Sequence, residues 1–119
     1  MLDAEGSIYG GYADVPWHLR NEYSSSDAAF LFCLASSKAP AVAPFKMQLN
    51  GTCNQYAIYG GNSNQGAAFG GAHDLYVLAD GHVNCAIGFT YTAGPTGATI
   101  STAAKVAVAA IEVWQLADA

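Results

Sequence analysis

In the stretch GAAFGGAHDLYVL, residues 66–78, His73 and Asp74 are the first side chains whose types suit acid–base chemistry. A catalytic pair of this kind needs a nucleophile or a metal, and mutual hydrogen bonding. Neighbouring residues of a strand point to opposite faces, so these two would not share one site. The sequence therefore predicts a structural role, with Asp74 capping or buttressing the glycine turn at Gly70-Gly71 and His73 at its edge. A phosphate cradle would lead into a helix and supply a lysine. This loop has no lysine and leads into a strand, so no cofactor is expected.

Other chemical candidates are weaker still. His73, His82 and Cys85 offer part of a metal set, but a structural zinc wants four ligands in tight pairs. Cys33 and Cys53 stand far away in the chain, so no metal is expected. Cys53 lies in the polar stretch NGTCNQ, where a reactive thiolate would need nearby cations. Only Lys46 is close. Glu112 sits inside the apolar run AAIEVWQL and must be hydrogen-bonded or face solvent. It is expected as a structural anchor, the alternative being a surface carboxylate used in recognition. Trp17 and Trp114 read as anchors of the core or its rim.

The chain has 119 residues, enough for one domain. It is 52% hydrophobic and only 11% charged, with a net charge of −5. Nothing basic clusters, so a nucleic-acid footprint is not expected. Direct membrane insertion is not expected either, since the longest apolar run is interrupted by Glu112. The start, MLDAEGSIYGG, has two acids and no secretory pattern, so a cytoplasmic setting with reduced thiols is expected. The Asn50-Gly51-Thr52 sequon is then expected to go unused. The sparse charge suggests that some surface is normally covered.

Strand signals dominate the elements that must position these residues. SIYGGYADV reads as a strand bent or bulged at Gly10-Gly11, where backbones approach closely. AAFLFCLA, residues 28–35, reads as a strand buried on both faces. NQYAIYGG suggests a strand with Tyr56 and Ile58 opposed to Ala57 and Tyr59. HDLYVLADGH alternates until the turn dipeptide Asp80-Gly81, and VNCAIGFTYT returns antiparallel with an interruption at Gly88. WHLRNEYSSSD, SSKAPAVAP and AGPTGATIST read as loops. The tail TAAKVAVAAIEVWQL is ambiguous, because its alanines favour helix while its valines and isoleucine favour strand. A β-dominated sandwich is the default architecture.

Five stretches, IYGGYADVPW, SDAAFLFCL, YAIYG, GAAFGGAHDLYV and IEVWQL, resemble in order the successive blocks of the TLDc domain. That domain occurs in eukaryotic oxidation-resistance proteins. Ala67 and Ala72 depart from the proline and third glycine common in its GPxFGGG segment. The resemblance implies a sandwich of two antiparallel sheets with few or short helices, and it makes the alanine-rich tail a strand. Family members start upstream of the block at Ser7, so residues 1–119 are expected to form one N-terminally incomplete domain, with matching blocks over 7–116.

The resemblance further implies a non-enzymatic protein-interaction module. Its expected roles are protection against oxidative stress and binding and regulation of the vacuolar-type proton pump. The positions expected to support that surface are Gly10, Gly11, Asp14, Trp17, Gly70, Gly71, His73, Asp74, Glu112 and Trp114. Two alternatives stand beside it: a thiol-based antioxidant or small hydrolase-like enzyme, and a non-functional truncated fragment.

Overall fold

The computed structural model describes residues 1–15, 22–36, 41, 44–60, 65–71, 74–78, 80–85, 87–88, 90–92 and 105–112. Ten strands form among these residues: β1 (Leu2–Asp3), β2 (Ile8–Tyr12), β3 (Tyr23–Ser24), β4 (Phe30–Ala35), β5 (Phe45–Gln48), β6 (Ile58–Tyr59), β7 (Gln65–Phe69), β8 (Leu75–Leu78), β9 (His82–Cys85) and β10 (Lys105–Ala110). A single 3-10 turn, Asn54–Tyr56, is the helical element among the described residues. All pairings are antiparallel, in the order β3-β6-β7-β8-β9-β10-β1-β2-β4-β5.

Laid flat, ten strands would span about 43 Å with a thickness near 10 Å. The molecule instead measures 36 × 32 × 31 Å. The ladder doubles over on itself. One core joins Tyr9, Leu31, Cys33, Phe45 and Met47 of the β2-β4-β5 half to Leu75, Val83 and Tyr91 of the other. The expected two layers are thus halves of one continuous sheet. Fully burying a side chain such as Leu31, Met47 or Leu75 contributes about 1.5–3 kcal/mol.

The fold-over runs through β10, whose first half pairs with β9 (Lys105 opposite Asn84) and whose second half pairs with β1 (Ala110 opposite Leu2). This pairing on both sides makes Lys105–Ala110 of the ambiguous tail a strand, which ends before Ile111 and Glu112. A second seam closes the opposite side. Leu49 bridges Tyr91, Asn50 N–H donates to Thr90 O (2.9 Å), and Thr92 N–H donates to Gln48 O (2.8 Å).

Several local expectations are corrected. β4 buries Leu31 and Cys33, but Phe30 and Phe32 are half-buried and Leu34 is 57% exposed, so only one face is interior. Tyr56 belongs to the 3-10 turn, and the strand behind it has just Ile58 and Tyr59, both buried. Tyr23–Ser24, expected within a loop, pairs with β6. In β2 the register shifts at Ile8/Tyr9, while Gly10 and Gly11 stay in register opposite Phe32 and Leu31. These two glycines make room for rings rather than for a neighbouring backbone. A Cβ on Gly10 would meet the Phe32 ring, and one on Gly11 the Phe69 ring from the facing layer. The turn at Asp80-Gly81 and the break at Gly88 appear where expected, with φ of +86° and +141° at the two glycines. The loop stretches over 37–43 and 93–102 fall largely outside the described residues.

Candidate functional site

The glycine-rich stretch ends β7 at Phe69, and Gly70 takes φ +95°, which L side chains adopt only with strain. Its N–H donates to Ala57 O (3.0 Å), while the Gly71 N–H donates to Thr90 Oγ1 (2.8 Å). This turn carries the chain over the Asp74 side chain. A Cβ at Gly70 would lie 2.7 Å from Asp74 Cγ and closer to its Oδ1.

Asp74 is fully buried. Its carboxylate accepts backbone N–H bonds from Gly88 (3.1 Å), Thr90 (3.2 Å) and Tyr91 (3.1 Å). Removing a carboxylate from water costs several kcal/mol, and charge-assisted bonds to main-chain donors offset that cost. Tyr91 completes the node by donating its hydroxyl to Ala57 O (2.8 Å). Burial pushes the Tyr91 phenol well above its ordinary value, with smaller additions from Asp74 and Asp14. The Phe69 ring meets Tyr91 edge-on at 6.1 Å. Gly70, Gly71, Asp74, Thr90 and Tyr91 therefore tie the end of β7 to the second seam. Chemically this holds two loops together.

More loops gather at the same end. Ser26 donates its hydroxyl to Asp14 Oδ1 (2.5 Å) and accepts from the Ala28 and Ala29 N–H groups (3.1 and 2.9 Å). Asn54 Nδ2 donates to Asp27 Oδ1 (3.0 Å), and the Asn54 main-chain carbonyl accepts the Ser26 N–H (3.2 Å). Tyr23 donates its hydroxyl to Gly71 O (2.9 Å) and packs against Tyr56 and Tyr59, each with ring centroids 5.1 Å away. Tyr23 and Tyr56 remain 36% and 38% exposed. Burial, then Tyr59 and Tyr56, push the Tyr23 phenol upward. Beside them an open groove of about 400 Å³ includes Asp27, Phe30, Lys46 and Asn54, with the Lys46 ammonium 4.2 Å from the Phe30 ring centre.

Of the residues singled out from sequence, Gly11, Asp14, Gly70, Gly71 and Asp74 converge on this end, linked through Phe69, Ser26 and Tyr91. Gly10 faces the other side of β2, against Phe32. Glu112 lies two residues past β10, exposed and near the Met1 amine. Trp17, His73 and Trp114 lie outside the described residues. Sequence reasoning missed Ser26, Tyr23, Tyr56, Thr90 and Tyr91. The serine run before Asp27 is a legible capping signal. The Thr90 and Tyr91 contacts have none, because their partner is 16–17 residues away.

Cys33 is buried and donates to Ala35 O (3.2 Å). Burial pushes its thiol upward, the Ala35 bond opposes that, and Asp3 adds to it. Cys53 is partly exposed. His82 Nδ1 lies 3.1 Å from Asp80 Oδ1. No group of three or more potential metal ligands comes together among the described residues. No helix among them is long and apolar enough to cross a membrane.

The TLDc domain family model matches residues 1–117. The chain belongs to the TLDc-domain family. No curated protein and no solved structure gives a significant match. In this TLDc chain the Phe-Gly-Gly-x-x-Asp-Leu segment has a defined physical role. Positive φ at Gly70 admits the Asp74 carboxylate, which gathers the 88–91 backbone.

Proposed function

We propose that this TLDc protein is a non-enzymatic interaction module, which protects against oxidative stress and binds and regulates the vacuolar-type proton pump from the cytoplasm. Membership of the family supports the module reading. The pump and stress roles rest on what the family resemblance implies. The observation that carries a protein-binding end is the tyrosine pair Tyr23 and Tyr56, more than a third exposed beside Gly71. Exposed tyrosines lose little rotamer entropy on docking and combine apolar area with a polar tip, which makes them frequent interface anchors. Asp14, Glu22 and Asp27 add exposed negative charge around them. Asp74 and Tyr91 beneath hold the loops in place, which lowers the ordering cost of association.

The test is binding of the purified chain to the peripheral sector of a vacuolar-type pump, with Tyr56→Ala alongside. Saturable binding weakened about tenfold or more in the variant, as for an interface anchor, supports the reading. Peroxide consumption that depends on Cys53 would replace it with thiol chemistry.

A further inference from the structure

We propose that Asn50-Gly51 is a self-modification site, where the asparagine amide is lost without an enzyme to give aspartyl and isoaspartyl chains. The proposal goes beyond the interaction reading and does not depend on it. Of the six asparagines, only Asn50 is followed by glycine. Gly51 is exposed at φ +85°, with nothing within 4 Å of where a Cβ would stand, and its N–H donates to Asn54 Oδ1 (3.2 Å) on the same exposed turn.

The turn also prepares the electrophile. Asn50 Oδ1 accepts three hydrogen bonds: from the N–H of Thr52 (2.9 Å), the hydroxyl of Thr52 (3.0 Å) and the N–H of Cys53 (3.1 Å). Donors aimed at a carbonyl oxygen stabilise the negative charge that develops when its carbon is attacked. They also hold the Asn50 side chain forward over the Thr52 and Cys53 main chain. Asn54 differs in that its Nδ2 donates to Asp27, its Oδ1 accepts the Gly51 N–H, and the residue after it is Gln55.

The reaction balances with water alone. The Gly51 N–H leaves its bond to Asn54 Oδ1, its proton passes to solvent base, and the nitrogen forms a bond to Asn50 Cγ. The Cγ–Nδ2 bond breaks, and the nitrogen takes up a proton and leaves as ammonia. Water then opens the resulting succinimide at either carbonyl. Opening at the main-chain carbonyl carbon leaves the side-chain linkage, which is isoaspartate, and opening at Cγ gives aspartate.

The two products differ in their effect. An aspartate at 50 can accept the same three donors and adds a negative charge. An isoaspartate lengthens the main chain by one methylene next to the Leu49–Tyr91 bridge and the Asn50 N–H to Thr90 O bond. It therefore loosens the second seam.

The experiment follows the one-mass-unit gain at residue 50 by peptide mass spectrometry, at physiological pH and temperature. Isoaspartate is read by carboxyl methyltransferase labelling. Native protein, the same chain unfolded in denaturant, and native Thr52→Val are compared; Thr52 is exposed, so the variant retains the fold. The proposal expects native conversion at or above the unfolded rate, and conversion slowed severalfold in Thr52→Val. Native Asn50 that persists after the unfolded chain has converted, or a Thr52→Val rate equal to wild type, would overturn it.

Discussion

Gly70 and Asp74 compete for one volume: the position of a Gly70 Cβ is 2.7 Å from Asp74 Cγ, and the glycine's φ is +95°. Both the backbone conformation and the space forbid a side chain there. Gly70→Ala is expected to cost about 2–4 kcal/mol, the sum of positive-φ strain and displacement of a bonded carboxylate. Gly81 has a similar φ of +86° but open space around it, so Gly81→Ala should cost only about 1–2 kcal/mol. Denaturant midpoints of the two variants measure the difference.

Asp74→Asn keeps the shape but replaces one acceptor oxygen with a donor that faces main-chain N–H groups. It should cost about 2–4 kcal/mol, because charge-assisted bonds are lost and buried donors are left unmatched. Chemical denaturation reads it.

Gly11 and Gly10 should differ although they are adjacent. A Cβ on Gly11 meets Phe69, which is wedged against Tyr91, whereas one on Gly10 meets Phe32 on the half-open face. Gly11→Ala is expected to lose about 1–3 kcal/mol by overpacking. Gly10→Ala should stay within about 1 kcal/mol, since the Phe32 ring can turn toward solvent. Thermal unfolding ranks the pair.

The alkaline limb reports on Tyr91. Its phenol is raised above the ordinary value of 10, so the folded state holds the proton that the unfolded chain releases. That contribution is fully present below pH 10 and is lost as pH rises toward the folded value. Tyr91→Phe should cost about 1 kcal/mol at neutral pH for the missing bond to Ala57 O, yet lose less stability between neutral pH and the alkaline range than wild type does. Tyr23, raised in the same direction, leaves a residual slope. Denaturation across pH checks the sign.

Much of the fold is legible in the chain because the signals are local. The Asp80-Gly81 dipeptide and the alternation from Leu75 onward define a hairpin without outside help. The alanine-rich β10 is not, since its state is set by partners on both sides, β9 and β1. The run from Phe30 to Leu34 is apolar at every position, so nothing in it marks the face left half-open. Tyr56 passes for a strand residue because a 3-10 turn closed by its N–H to Cys53 O carries no periodicity. At the site, the glycines and Asp74 stand out as a turn with its cap. The 88–91 segment they hold comes from elsewhere in the chain.

The account rests on Asp74 being committed to the fold rather than offered to a reactant. Residue-resolved hydrogen exchange tests this most directly at the amides of Gly88, Thr90 and Tyr91. These should exchange as slowly as the core strands in wild type and lose that protection in Asp74→Asn under conditions where β4 stays protected. Fast, loop-like exchange at all three amides in the wild-type protein would contradict it.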